Sequence, residues 1–147
     1  MQITQRCILI ISMSLLLCFF SAFFFGDKAD NLSKEWEAAQ TERFLNKLCR
    51  TGQCSQEEYR IFFEALKCSG NTIEISIEEY KTEQDLEKKR YYATVSWEEI
   101  KNFLWKEGRY DFSEHSIVLV EVLQSGRIVK NKSRRFGRVI KKYENDT

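Results

Sequence analysis

The chain has 147 residues, 31% of them charged and 14% aromatic, with six glycines, no proline and a formal net charge of +1. Such a composition excludes a flexible stalk, and the length leaves room for one modest core and not for two domains. The near-neutral total hides an asymmetry: residues 27–125 hold 20 acidic and 14 basic side chains, whereas residues 126–147 hold two acidic and eight basic ones.

Cys7 to Gly26, CILIISMSLLLCFFSAFFFG, carries no charge. As a helix its twenty residues reach about 30 Å, the thickness of a bilayer's hydrocarbon core. The run is longer than the apolar part of a removable signal peptide, and Phe23, Phe24 and Phe25 stand where small residues would precede a cleavage site. The expectation is an uncleaved signal anchor at 7–26 behind a short flank at 1–6. Arg6 lies before it and Lys28, Lys34 and Arg43 after it, and a six-residue flank is easily held inside while a domain is exported. The soluble part is therefore expected on the extracytoplasmic side of the cell membrane, with the lipid bilayer as its first partner.

Asp30 or Ser33 can cap a helix to about Arg50, with Leu32, Trp36, Phe44, Leu45 and Leu48 as its apolar stripe, and this helix can continue the anchor. Thr51-Gly52-Gln53 breaks it. Ser55 and Glu58 form a capping box for a second helix bearing Tyr59, Phe62, Phe63 and Leu66, which makes a helical hairpin with the first. Ser69-Gly70-Asn71 turns the chain into a strand, where Ile73, Ile75 and Ile77 alternate with Glu74, Ser76 and Glu78. Residues 79–90 read as the strand's end and a surface loop.

Tyr91 and Tyr92 belong to a further strand. Ser96 and Glu99 open a short helix with Trp97, Ile100, Phe103 and Leu104, ended by Gly108. Ile117 to Leu123, IVLVEVL, predicts the central and most buried strand. After the turn at Ser125-Gly126, Arg127 to Lys132 can pair back, and Phe136, Val139, Ile140 and Tyr143 suggest a last amphipathic segment. The fold class is α+β: a transmembrane helix, a helical hairpin, then a small, mostly antiparallel sheet with one further helix, the domain spanning 27–125 and a basic segment 126–147.

Enzymatic motifs are lacking. There is no Gly-x-Ser-x-Gly and no glycine-rich phosphate loop, and the one histidine, His115 beside Glu114, reads as a solvated strand entrance. A catalytic site, a cofactor and a metal are not expected, since His115 is remote from Cys49, Cys54 and Cys68. Five cysteines at irregular spacing, two of them in the anchor, argue against a disulfide framework; one bridge among the other three stays open, and small apolar packing residues at helix ends is the simpler reading. The patch that stands out is GRIVKNKSRRFGRVIKKY, with Arg127, Lys130, Lys132, Arg134, Arg135, Arg138, Lys141 and Lys142 as candidate partner-binding residues. Its partner could be anionic lipid or cell-wall polymer, or it could be a solvated face; nucleic acid is not expected for an exported domain.

Phe44-Leu45-Asn46, Thr51-Gly52, Glu58-Tyr59, Phe62-Phe63, Leu66, Ser69-Gly70-Asn71-Thr72 and Ile73-Glu74-Ile75, followed by Ser96-Trp97-Glu98-Glu99-Ile100 and Gly108-Arg109-Tyr110-Asp111-Phe112, form a pattern over roughly residues 40–125. It resembles small single-span proteins of bacterial Tad-type (Flp) or type IV-like pilus assembly. On that pattern Cys54 and Cys68 occupy places of small or aliphatic residues, which implies packing. MQITQRCILIISM lacks the glycine processing site and the glutamate five residues into the helix that a prepilin carries. The resemblance thus implies a minor pseudopilin-like or accessory component, non-enzymatic, with other assembly proteins as partners. The alternative is a stand-alone bitopic adaptor using its basic segment.

Overall fold

The computed structural model describes residues 2–68, 72–84, 90–125 and 130–140, with the side chains of residues 82–84 and 90–92 outside the description. The chain divides into two units, Met1–Trp36 and Glu37–Thr147. Helix α1 covers Gln2–Thr51 without a break, so the helix expected from Asp30 or Ser33 is the continuation of the apolar one.

In the first unit every large apolar side chain from Ile3 to Phe25 is exposed. An 18-residue window of α1 has a mean hydropathy of 2.6 and none of it is buried, which makes this the one helix among the described residues long and apolar enough to cross a membrane. Two of its hydroxyls are satisfied within the helix: Ser12 donates to the Leu9 carbonyl at 2.9 Å and Ser21 to the Leu17 carbonyl at 2.7 Å. Leu32 and Trp36, predicted for the apolar stripe, are 65% and 50% exposed, and burial begins only at Glu37.

In the second unit Glu37, Thr41, Phe44, Leu45 and Leu48 form the buried face of α1 at helical spacing. Gly52, at φ 67°, donates to the Leu48 carbonyl and closes the helix in the left-handed conformation that glycine tolerates. A short strand β1, Gln53–Ser55, follows. Helix α2, Gln56–Lys67, starts on the predicted capping box: Ser55 accepts from the Glu58 amide and the Glu58 carboxylate accepts from the Ser55 amide. Phe44 and Phe62 stack at 4.2 Å and join α2 to α1.

Strand β2 runs from Thr72 to Gln84, well into the stretch at residues 79–90 read as the strand's end and a surface loop: Glu79 to Gln84 pair with β3, Arg90–Val95. Mixed charge hid this part of the strand because Glu79, at an inward position, is a buried polar residue where an apolar one would have continued the alternation. Helix α3, Trp97–Glu107, is capped by the Ser96 hydroxyl and ended by Gly108 at φ 77°. Strand β4, Arg109–Asp111, pairs with β1 in a two-stranded ladder that no periodicity announced, three residues being too few to show one.

Strand β5, Ile117–Ser125, pairs antiparallel with both β2 and β6, Lys130–Arg138, giving a four-stranded sheet in the order β3-β2-β5-β6. The alternation sorts its faces. Ile73, Ile75, Ile77, Val118, Val120 and Val122 are buried on the inner face with Leu45, Leu48, Phe62, Leu66, Ile100 and Leu104 from the helices. The expected pairing back of Arg127 to Lys132 is seen from Lys130 and runs on to Arg138. One further expectation is corrected: the amphipathic reading of Phe136, Val139 and Ile140 fails because, of these three, only Val139 is buried. Tyr143 and the turns at residues 69–71 and 126–129 lie outside the described residues.

Candidate interaction surface on the edge strand

Of the eight predicted partner-binding cations, Arg127, Lys141 and Lys142 fall outside the described residues. The other five, Lys130, Lys132, Arg134, Arg135 and Arg138, are brought together on β6, all exposed. They do not form one uniform patch. In the ladder Glu121 lies opposite Arg134, and its carboxylate takes Lys132 Nζ at 2.8 Å and Arg134 Nε at 2.6 Å. The Lys132 hydrogen bond first, and Arg134 next, hold the Glu121 carboxyl below the usual carboxylate range. Lys130, Arg135 and Arg138 have no ion-pair partner among the described residues. Sequence reading counted eight equal charges, whereas pairing across the ladder divides the described five into two held and three free.

The strand carries more than charge. Phe136 lies among these cations 64% exposed. On the inner face Ser133 donates to buried Glu37 at 2.5 Å, and Gly137 sits so close to α1 that an added Cβ would meet Cys49 Sγ and come within 3.1 Å of Leu45. One face of β6 is therefore fixed against α1, and Arg135, opposite Val120, belongs to that face although exposed; the other face presents Lys130, Lys132, Arg134, Phe136 and Arg138.

Among the described residues no strand pairs with the outer edge of β6. Val139 donates to the Ser116 carbonyl at 2.9 Å and accepts from the His115 amide, so its polar groups point toward β5; Ile140 points the opposite way and donates to the Cys49 carbonyl at 2.9 Å. An antiparallel ladder alternates in this manner residue by residue. Carried back along the unbroken β5–β6 register, the alternation turns the amides and carbonyls of Lys130, Lys132, Arg134, Phe136 and Arg138 away from β5.

A second polar site escaped the sequence. Glu79, which opens the stretch read as the strand's end and a surface loop, is fully buried and accepts from Tyr110 Oη at 2.5 Å and from the Ser113 amide at 2.6 Å, with Lys81 Nζ at 3.7 Å. Burial, and then the hydrogen bond to Glu79, push the Tyr110 phenol well above its ordinary value. The signal was in the register: Glu79 continues the odd-numbered series of Ile73, Ile75 and Ile77. The adjoining depression, about 370 Å³ and lined by Lys81, Glu99, Phe103, Glu107, Arg109, Tyr110 and Asp111, is open and mixed in charge.

His115 is 74% exposed, 4.0 Å from Glu114. All five cysteines are free. Cys54 is buried, and desolvation first, then the Glu58 charge, pushes its thiol up to about 12. Cys49 is half-buried, and Cys68 is exposed, which corrects its assignment as a packing residue.

No protein-family model, curated protein or solved structure matches the chain.

Proposed function

We propose that this protein is a non-enzymatic, membrane-anchored component of a pilus-like surface or secretion assembly, minor pseudopilin-like or accessory in kind, with its α+β domain outside the membrane. The observation that carries the reading is α1: its first half is an unburied apolar helix of membrane-spanning length, and its second half supplies core to a unit containing a four-stranded antiparallel sheet. The alternative, an adaptor that holds anionic lipid or wall polymer by charge alone, is less well supported, because Glu121 already engages Lys132 and Arg134.

The test has three parts, run on the chain in bacterial membranes. Carbonate-resistant membrane association and an intact mass that includes residues 1–26 are expected; a mature N-terminus near Gly26 would overturn anchorage. Lys88→Cys, in a chain whose native cysteines are replaced, is expected to react with an impermeant maleimide in intact cells; labelling only after lysis would reverse the orientation. Affinity purification after cross-linking is expected to recover pilus or secretion-assembly proteins, and their absence would remove the assembly role.

A further inference from the structure

We propose that β6 is a docking edge for an acidic, extended segment of another protein, which adds to the sheet as a fifth strand beyond β6. This deepens the reading above and rests on it for the partner being a protein of the same assembly. Three observations carry it. The strand is an end of the order β3-β2-β5-β6, and its outward amides and carbonyls at Lys130, Lys132, Arg134, Phe136 and Arg138 have no hydrogen-bond partner among the described residues. Such a row is the template on which extended peptides add a strand.

Charge then selects the occupant. On the outer face Lys130 and Arg138 have no ion-pair partner among the described residues while Glu121 holds Lys132 and Arg134, so carboxylates on an incoming strand meet cations from one end of β6 to the other, with Arg135 on the opposite face. A second β6 would place like charges across the new ladder, which is destabilising, and the acidic strand of this chain, β2, is already flanked on both sides by β3 and β5. A second copy is thus rejected and a different acidic chain accepted. Phe136, 64% exposed amid these cations, offers the apolar contact that cross-strand pairs use. Finally, the edge is held ready: the Ser133–Glu37 hydrogen bond, the close approach of Gly137 to Cys49 and the Ile140–Cys49 hydrogen bond fix β6 on α1 before any partner arrives.

The experiment uses the full chain in nanodiscs of zwitterionic lipid and a fluorescein-labelled nine-residue peptide of alternating Glu and Val. Its controls are a twin N-methylated at every amide, a twin with Lys in place of Glu, and vesicles containing phosphatidylglycerol. The Glu peptide is expected to bind, and both twins to bind about tenfold more weakly or worse, because one lacks strand donors and the other the charge. Lys130→Glu with Arg138→Glu is expected to weaken binding at low salt and less so at high salt. Phe136→Pro removes an outward N–H without touching the bonds to β5, and should weaken binding at every salt concentration.

Equal binding of the N-methylated twin, no binding of the Glu peptide, or binding confined to the anionic vesicles would overturn the proposal, as would a dimer abolished by the β6 variants. The charge-reversal pair keeps the test valid should the proline variant fail to fold. Recovery of assembly proteins by the wild-type chain in the face of a failed peptide assay would sink the strand edge and leave the assembly reading standing.

Discussion

Glu79 shows how far one side chain can depart from what its neighbours suggest. Its carboxylate is enclosed and holds the Tyr110 hydroxyl and the Ser113 amide, tying β2 to the segment that follows α3. Hydrogen bonds to a charged group contribute about 1.5–3 kcal/mol each, and a buried group left unsatisfied costs about as much. Tyr110→Phe is expected to lower stability by about 2 kcal/mol in urea unfolding. Once Glu79→Gln is present the same change should cost clearly less, and additive losses would show that the pair is not coupled. Glu121 makes the complementary case near the surface. Its folded value lies below that of the unfolded chain, about 4.3, so its contribution is full above that value and is lost as pH falls through the folded one. The urea midpoint of Glu121→Gln is therefore expected below that of the parent at neutral pH, with the gap closing as pH falls below about 4. A constant gap would mean that Lys132 and Arg134 do not act through the charge.

At the scale of elements, sequence reading succeeded where one period governed a whole segment. The Ser55–Glu58 box, the α2 stripe, Ile73-Ile75-Ile77 and the β5 run are local statements, and the helices and strands stand where those residues put them. It failed where pairing is non-local. Strands β1 and β4 exist because Gln53–Ser55 meets Arg109–Asp111 across more than fifty residues, and the pairing of β6 reads only as far as Lys132 until its floor α1 is known. Gly137 is the residue that records this floor. In sequence it is one glycine in a charged run, while in the fold it is where α1 touches the sheet. Gly137→Ala is expected to destabilise the chain by about 1–3 kcal/mol through overpacking. Cys49→Ala removes the atom in the way and should recover most of that loss in the double variant, as read from thermal or urea unfolding. Failure of the rescue would place the strain in the Leu45 contact instead.

For the molecule as a whole, the fold class was readable because each unit declares itself by composition: a charge-free apolar run, then a charged, aromatic domain with helical and then strand periods. The candidate surface was only half readable. Clustered cations drew attention to residues 127–142, but which of them are free depends on Glu121, and that the strand offers backbone as well as charge depends on its place at the end of the sheet. Neither property is carried by the segment itself.

The anchoring of β6 on α1 also has a consequence in time. Ser133 and Glu37 are 96 residues apart in the chain, and Gly137 and Ile140 meet Cys49 across a similar span. A ribosome finishes α1 long before it begins β6, so the helix that opens the domain waits for the strand that covers it, and such distant closures are the slow steps of folding. Until then one whole edge of β5 is unpaired. The domain cannot close before the strand that completes it has been made, so its last strand sets when the whole sheet is complete.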